Sequence, residues 1–232
     1  MNAQSRIRPL VSALVLSLVL AFVAAPVRAA NPAPADPADP AGNALKQAGF
    51  TEITEQAPGV ILDIRYATPN NFTGQTVYPA ARCFLRKDVA ERLMRVEKAL
   101  AKEGLGVKIF DCYRPISVQK KFWDLVPDER YVAKPVMKDG KWVEGSRHNR
   151  GAAVDITLVD AKGQELPMPT AFDDFTEKAS RAYTGGDPAA RANAKKLEAA
   201  MAAEGFEPLP TEWWHFDGPG WQSYELLDMP NN

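Results

Sequence analysis

Ser146-Arg147-His148-Asn149-Arg150-Gly151-Ala152-Ala153-Val154-Asp155-Ile156-Thr157-Leu158 reads as a turn that becomes a strand. From Ala153 onward the residues alternate. Val154, Ile156 and Leu158 take one face, and Ala153, Asp155 and Thr157 the other, so Asp155 belongs to the polar side of a sheet. Gly151 permits the sharp reversal needed to bring His148, seven residues earlier, back toward that carboxylate. His148 is one of only 2 histidines in the chain, and the other closes Glu212-Trp213-Trp214-His215.

Outward from this stretch the elements are mixed. Val107 to Tyr113 alternates as a strand, with Val107, Ile109, Asp111 and Tyr113 on one face, which puts Arg114 at a strand end. Val89, Leu93, Val96 and Leu100 recur at helical spacing across Asp88–Glu103, and Gly104 ends that helix. Pro115 starts a shorter helix carrying Val118, Phe122 and Leu125. A small hairpin is expected around Lys138-Asp139-Gly140-Lys141. Asp187 and Pro188 cap and start an Ala-rich helix running through Met201 to Gly205. Val60 to Tyr66 reads as a strand, and the aromatic-rich Glu212 to Phe216 as another. Without a steady βαβ alternation, these elements predict a single α+β domain: an antiparallel or mixed central sheet flanked by helices.

The N-terminal region is a different kind of sequence. Arg6 and Arg8 precede an apolar run from Leu10 to Ala25 that is shorter than the ~20 residues needed to span a bilayer. Val27-Arg28-Ala29 ends in the small residue a signal peptidase cuts after, so 1–29 is expected to be a cleaved secretory signal, leaving no stable membrane span and directing the chain to the periplasm. Residues 30–43, rich in Pro, Ala and Asp, read as a flexible linker, with the folded domain occupying 44–232. The signal holds three arginines and no acid, so the remainder carries 25 basic and 29 acidic side chains. A mildly acidic chain without basic clusters is a poor nucleic-acid binder. In an oxidising compartment Cys83 and Cys112 can pair, and two buried free thiols are the competing reading.

Two imidazoles and one carboxylate around an open coordination position make the ligand set of a hydrolytic zinc site, and one such site would use every histidine in the chain. Glu212 lies three residues before His215. A regular strand would set the two on opposite faces, so they share a pocket only if the backbone bends there. Each histidine alone reads equally as a hydrogen-bonded core residue, and Arg114 as a strand-end cation paired with an acid. Spacing alone leaves these alternatives open.

Ser146-x-His148-x-x-Gly151-x-Ala153-x-Asp155 followed by Glu212-x-x-His215 resembles the paired signature of the D-alanyl-D-alanine dipeptidases of the VanX type, within the wider zinc D,D-peptidase family. Tyr66-Ala67-Thr68, Asn71-Phe72-Thr73-Gly74, Tyr113-Arg114-Pro115 and Phe172-Asp173 resemble further family segments in the family's order. The resemblance implies a Hedgehog and D,D-peptidase-like fold and one zinc ion held by His148, Asp155 and His215. It also implies Glu212 as the base that activates water and Arg114 as the residue that stabilises the transition state. Ser146, Tyr66 and Asp173 match positions near the substrate. The implied substrate is a small D,D-dipeptide, met in cell-wall peptide turnover or glycopeptide resistance. Two other readings compete: a sister D,D-carboxypeptidase trimming D-Ala from peptidoglycan stems, and a non-catalytic wall-binding module, which would be marked by loss of Glu212 or a ligand.

Overall fold

Asp39 opens the first helix. Its carboxylate accepts from the Gly42 amide at 2.9 Å, Pro40 occupies the first turn, and α1 runs Pro40–Gln47. This helix starts inside the stretch 30–43 expected to be a linker, so order begins ahead of Ala44. The physical reason is a cation far away in sequence: Arg82 donates to both Asp39 oxygens at 2.7 Å and to the Glu52 carboxylate at 2.8 and 2.9 Å. Residues 38–55 and 59–231 are described by this computed structural model. The expected signal at 1–29 lies outside them, and no helix among the described residues is long and apolar enough to cross a membrane.

The chain continues through β1 (Phe50–Ile53), β2 (Val60–Leu62), β3 (Cys83–Arg86), α2 (Lys87–Ala101), β4 (Gly106–Asp111) and α3 (Ile116–Leu125). The hairpin β5 (Val136–Lys138) and β6 (Lys141–Glu144) follows, then β7 (Ala153–Val159), α4 (Pro188–Ala203), β8 (Glu207–Pro208) and β9 (His215–Asp217). The strand expected from Val60 to Tyr66 stops at Leu62, because the backbone tightens into a 3-10 turn over Arg65–Ala67. That turn puts Tyr66 where Val77 and Tyr78 both donate to its carbonyl, at 2.9 Å each.

Five strands form the central sheet in the order β2-β4-β7-β9-β8. Only the β2–β4 pair is parallel, so the sheet is mixed, and the domain is α+β as expected. β1 and β3 form a separate antiparallel pair. Leu93 and Val96 of α2 and Leu197 and Met201 of α4 share one core with Val107, Ile109, Val154, Ile156 and Leu158. All seven residues of β7 are buried, so the face that carries Asp155 is covered rather than bathed in solvent. Its cover is aromatic: Tyr66, Phe72, Phe122, Phe172 and Trp214 make ring contacts between 4.6 and 6.2 Å.

Two features fix the end of β4 where the site begins. The pairing with β7 slips between Ile109 and Asp111, which sets Asp111 opposite Asp155. Cys112, the next residue, is joined by a disulfide to Cys83 of β3, with Cα atoms 5.2 Å apart. The C-terminal tail then fastens the neighbouring turn: Leu227 donates to the Asn149 carbonyl at 2.9 Å and accepts from the Ile116 amide at 3.1 Å, and Met229 donates to the Tyr113 hydroxyl at 2.9 Å.

Candidate metal centre and active site

The turn that carries His148 is braced from within. Ser146 Oγ accepts from the His148 amide at 3.2 Å, and Asn149 Oδ1 accepts from the Ser146 amide at 2.8 Å, a reciprocal cap on the 3-10 turn Arg147–Arg150. Asn149 also donates to the Arg114 carbonyl at 2.8 Å, and the His148 carbonyl accepts from the Arg114 amide at 3.1 Å. Gly151 ends the turn with φ +68°, and a Cβ there would run into the Phe50 ring, so the reversal needs glycine on two counts.

The reversal brings His148 beside Asp155, and β9 brings His215 to both. His148 Nε2 lies 3.1 Å from His215 Nδ1 and 3.3 Å from Asp155 Oδ1, and His215 Nδ1 lies 3.0 Å from the same oxygen. All three side chains are buried. Their outer nitrogens settle the tautomers. His148 Nδ1 faces the Cys112 carbonyl at 2.6 Å, which can only accept, and His215 Nε2 faces Asp217 Oδ1 at 2.9 Å. Each ring therefore spends its N–H outward and turns a bare nitrogen inward. Three lone pairs then crowd one point and repel one another unless a cation sits among them. A tetrahedral zinc ion with bonds of ~2.0–2.1 Å has ligand-to-ligand edges of about 3.3–3.4 Å, close to the triangle observed, so the donor set fits such an ion.

The same crowding of acceptors attracts positive charge, whether it arrives as a metal ion or as a proton on an imidazole. Burial works against charge on His215, yet the Asp155 and Asp217 carboxylates at its two nitrogens push it up to about 10. Burial likewise opposes charge on Asp155, and the two imidazoles overcome it, holding the carboxyl well below its ordinary range.

Glu212 stands beside the trio, with Oε2 3.9 Å from His215 Nδ1. The strand expected over Glu212–Phe216 is confined to His215–Asp217, and Glu212 to Trp214 bend instead. The bend splays Trp213 and Trp214, whose planes are 88° apart, and turns Glu212 onto the side of His215. Burial raises the Glu212 carboxyl to about 7, with His215 pulling the other way and Asp155 adding to the rise.

Arg114 donates to Asp111 Oδ2 at 2.6 and 3.1 Å and to Gln119 Oε1 at 2.8 Å, and its Nη2 lies 3.9 Å from Asp155 Oδ2. It is thus the counter-ion of two carboxylates that the slipped register places side by side. Asp173, in left-handed backbone at φ +61°, accepts from the Tyr66 hydroxyl at 3.1 Å on each oxygen. Burial, and then the charge of Asp155, raise the Asp173 carboxyl well above the usual range. All eight residues singled out from sequence, Tyr66, Arg114, Ser146, His148, Asp155, Asp173, Glu212 and His215, line one cavity of about 280 Å³.

Several contributors escaped the sequence reading. Asp217 carried a signal, since a residue two past His215 shares its strand face. Asp111 was assigned to its strand, but the bulge that aims it at Arg114 was not legible. Asn149, flanking His148 at a position without a motif residue, and the Cys112 carbonyl, a main-chain group, left no signal at all.

This geometry, a His-Asp-His cluster beneath a buried glutamate, agrees with what comparison with known proteins finds. Residues 46–228 match the D-ala-D-ala dipeptidase family, and the chain belongs to that family of metallopeptidases. It is similar to a D-alanyl-D-alanine dipeptidase of Escherichia coli K12, 36% identical over 180 residues that cover 76% of this chain and 90% of the relative. A D-alanyl-D-alanine dipeptidase of Enterococcus faecium is 32% identical over 199 residues, covering 78% of this chain and 98% of that protein. One from Streptomyces coelicolor is 32% identical over 181 residues, 72% and 90% respectively.

Proposed function

We propose that this chain hydrolyses D-alanyl-D-alanine to two D-alanines, with zinc held by His148 Nε2, His215 Nδ1 and Asp155. The observation that carries this reading is the convergence of three inward lone pairs within 3.0 to 3.3 Å at the floor of a cavity that also holds Glu212 and Asp173. When bound, zinc supplies a Lewis acid that polarises the peptide carbonyl and acidifies water.

The protein's own groups do the rest. Glu212, raised toward neutrality by burial, accepts a proton from the attacking water as its oxygen bonds to the carbonyl carbon. The same carboxyl then hands that proton to the nitrogen as the C–N bond breaks. Arg114, locked by Asp111 and Gln119, presents fixed positive charge to the oxygen on which negative charge develops. Asp173, a buried acid that forms no ion pair among the described residues, is suited to the substrate's ammonium, whose arrival favours its charged form, and Tyr66 holds it in place. The Ser146 hydroxyl, accepting at its oxygen, keeps its proton for the substrate.

The arginine-flanked apolar run ahead of Ala29 supports export to the periplasm, where cell-wall peptides are the source of D,D-dipeptide, and the Cys83–Cys112 disulfide suits an oxidising compartment. The test is Glu212→Ala. Zinc content per chain should match that of the parent protein while turnover of D-Ala-D-Ala drops by about 10²–10⁴-fold, the usual range for a lost acid-base group; an active Glu212→Ala protein refutes the mechanism.

A further inference from the structure

We infer that Arg147 sets this enzyme's demand for a free carboxylate at the C-terminal end of its substrate; the inference rests on the dipeptidase reading above. Arg147 immediately precedes His148 and lines the same cavity. Its guanidinium carbon lies 4.5 Å from the centroid of the Trp221 ring, and its Nε lies 3.3 Å from Asp217 Oδ2 without making a hydrogen bond. Among the described residues, no hydrogen bond reaches its two terminal nitrogens, and its side chain is 38% exposed.

The other two arginines lining the cavity are committed. Arg114 bonds Asp111 and Gln119 through all three of its nitrogens. Arg130 is bound through Nε and Nη2 to Asp128. Among the described residues Arg147 is therefore the lining arginine whose two terminal nitrogens both stand without a hydrogen bond, and its fork is the shape that takes a carboxylate through two parallel bonds.

Its position suits the far end of a dipeptide. Asp173 connects to the His-Asp-His cluster from the Tyr66 and Arg114 side, where Arg114 meets Asp155. Arg147 reaches the same cluster by a separate route, through Asp217 and the outer nitrogen of His215. An acid and a guanidinium thus line the one cavity that holds the His-Asp-His cluster, and an extended two-residue peptide carries its ammonium and carboxylate about 7 Å apart. Stacking on Trp221 orders the long side chain beforehand, which lowers the entropy lost when a carboxylate docks. Ser146 cannot fill this role alone, because its single hydroxyl proton offers one neutral donor.

The experiment compares D-Ala-D-Ala with its C-terminal amide on the zinc-loaded parent protein, Arg147→Met and Arg147→Lys. Methionine keeps an apolar stem on Trp221 and removes the charge. We expect Arg147→Met to lose about 10- to 100-fold in kcat/KM on the free acid, chiefly through KM, and far less on the amide, so that the parent's preference for the acid collapses. Arg147→Lys should restore part of that preference. Calorimetric binding of D-Ala-D-Ala in a Glu212→Ala background should weaken by a similar factor on adding Arg147→Met. A parallel fall on acid and amide would overturn the inference, because Arg147 would then act through Asp217 on His215, and so would no change on either. A parent protein that splits neither compound while holding zinc would remove the dipeptidase reading itself, an outcome distinct from both.

Discussion

Reducing the Cys83–Cys112 bond releases a loop spanning a separation of 29 residues, which contains all of α2 and β4. In the chain-entropy treatment a loop of that length removes about 12 cal/mol/K from the unfolded ensemble, so the bond contributes about 3.6 kcal/mol at 25 °C. Domains have about 5–15 kcal/mol in total, and the core against which α2 packs is left intact, so the reduced protein should remain folded. At about 2–4 °C per kcal/mol for a chain of this size, its Tm should fall by about 7–14 °C. The measurement is calorimetric melting of the metal-free protein, oxidised and in dithiothreitol, beside a Cys83→Ser, Cys112→Ser double variant, which should melt with the reduced form. A reduced protein melting within about 2 °C of the oxidised one would refute the loop argument. The Cys112 carbonyl also holds His148 Nδ1, so a second consequence is expected at the site: looser zinc binding in the reduced protein.

Two further outcomes can be checked independently. Asp217→Asn keeps the size of the side chain but removes the charge that holds the His215 Nε2 proton; zinc affinity, measured by competition with a chromophoric chelator, should fall about 10- to 100-fold with little change in Tm, and an unchanged affinity would contradict the role assigned to Asp217. Asp39, bonded to Arg82 and the Gly42 amide, has its carboxyl lowered from 3.8 to about 2. The stability this supplies is present above pH 3.8 and is lost as pH falls through 2, so Arg82→Ala should flatten the acid limb of the stability profile, and an identical limb would rule out the clasp.

Much of the site was legible because its chemistry is concentrated in short motifs. Two histidines, a strand-borne Asp155 and Glu212 offered a zinc ligand set that spacing alone left open and the family resemblance assigned, and Gly151 marked the turn that joins His148 to Asp155. The helices α2, α3 and α4 were readable from apolar spacing and from Pro and Gly stops. What was missed depends on partners distant in sequence. Helix α1 has a local start in the Asp39 cap and Pro40, but the Arg82 guanidinium that clasps Asp39 comes from a distant part of the chain. The shortened strands at Leu62 and His215 mark places where the backbone leaves a sheet to turn Tyr66 and Glu212 toward the cavity, a tertiary demand that overrides local preference for extended structure. The register slip beside Phe110, which creates the Asp111–Arg114–Asp155 group, is a property of two strands together.

The tail contacts of Leu227 and Met229 have a consequence for how the protein is made. The turn that carries His148 is fastened by residues translated some eighty positions later, and His215 itself lies in the last strand. A chain emerging from its N-terminus can fold α2 and β4 early, but the His148-Asp155-His215 cluster stays incomplete until β9 has been made. On the zinc reading proposed above, metal capture is thereby a late event in biogenesis, and a product truncated before β9 would lack His215.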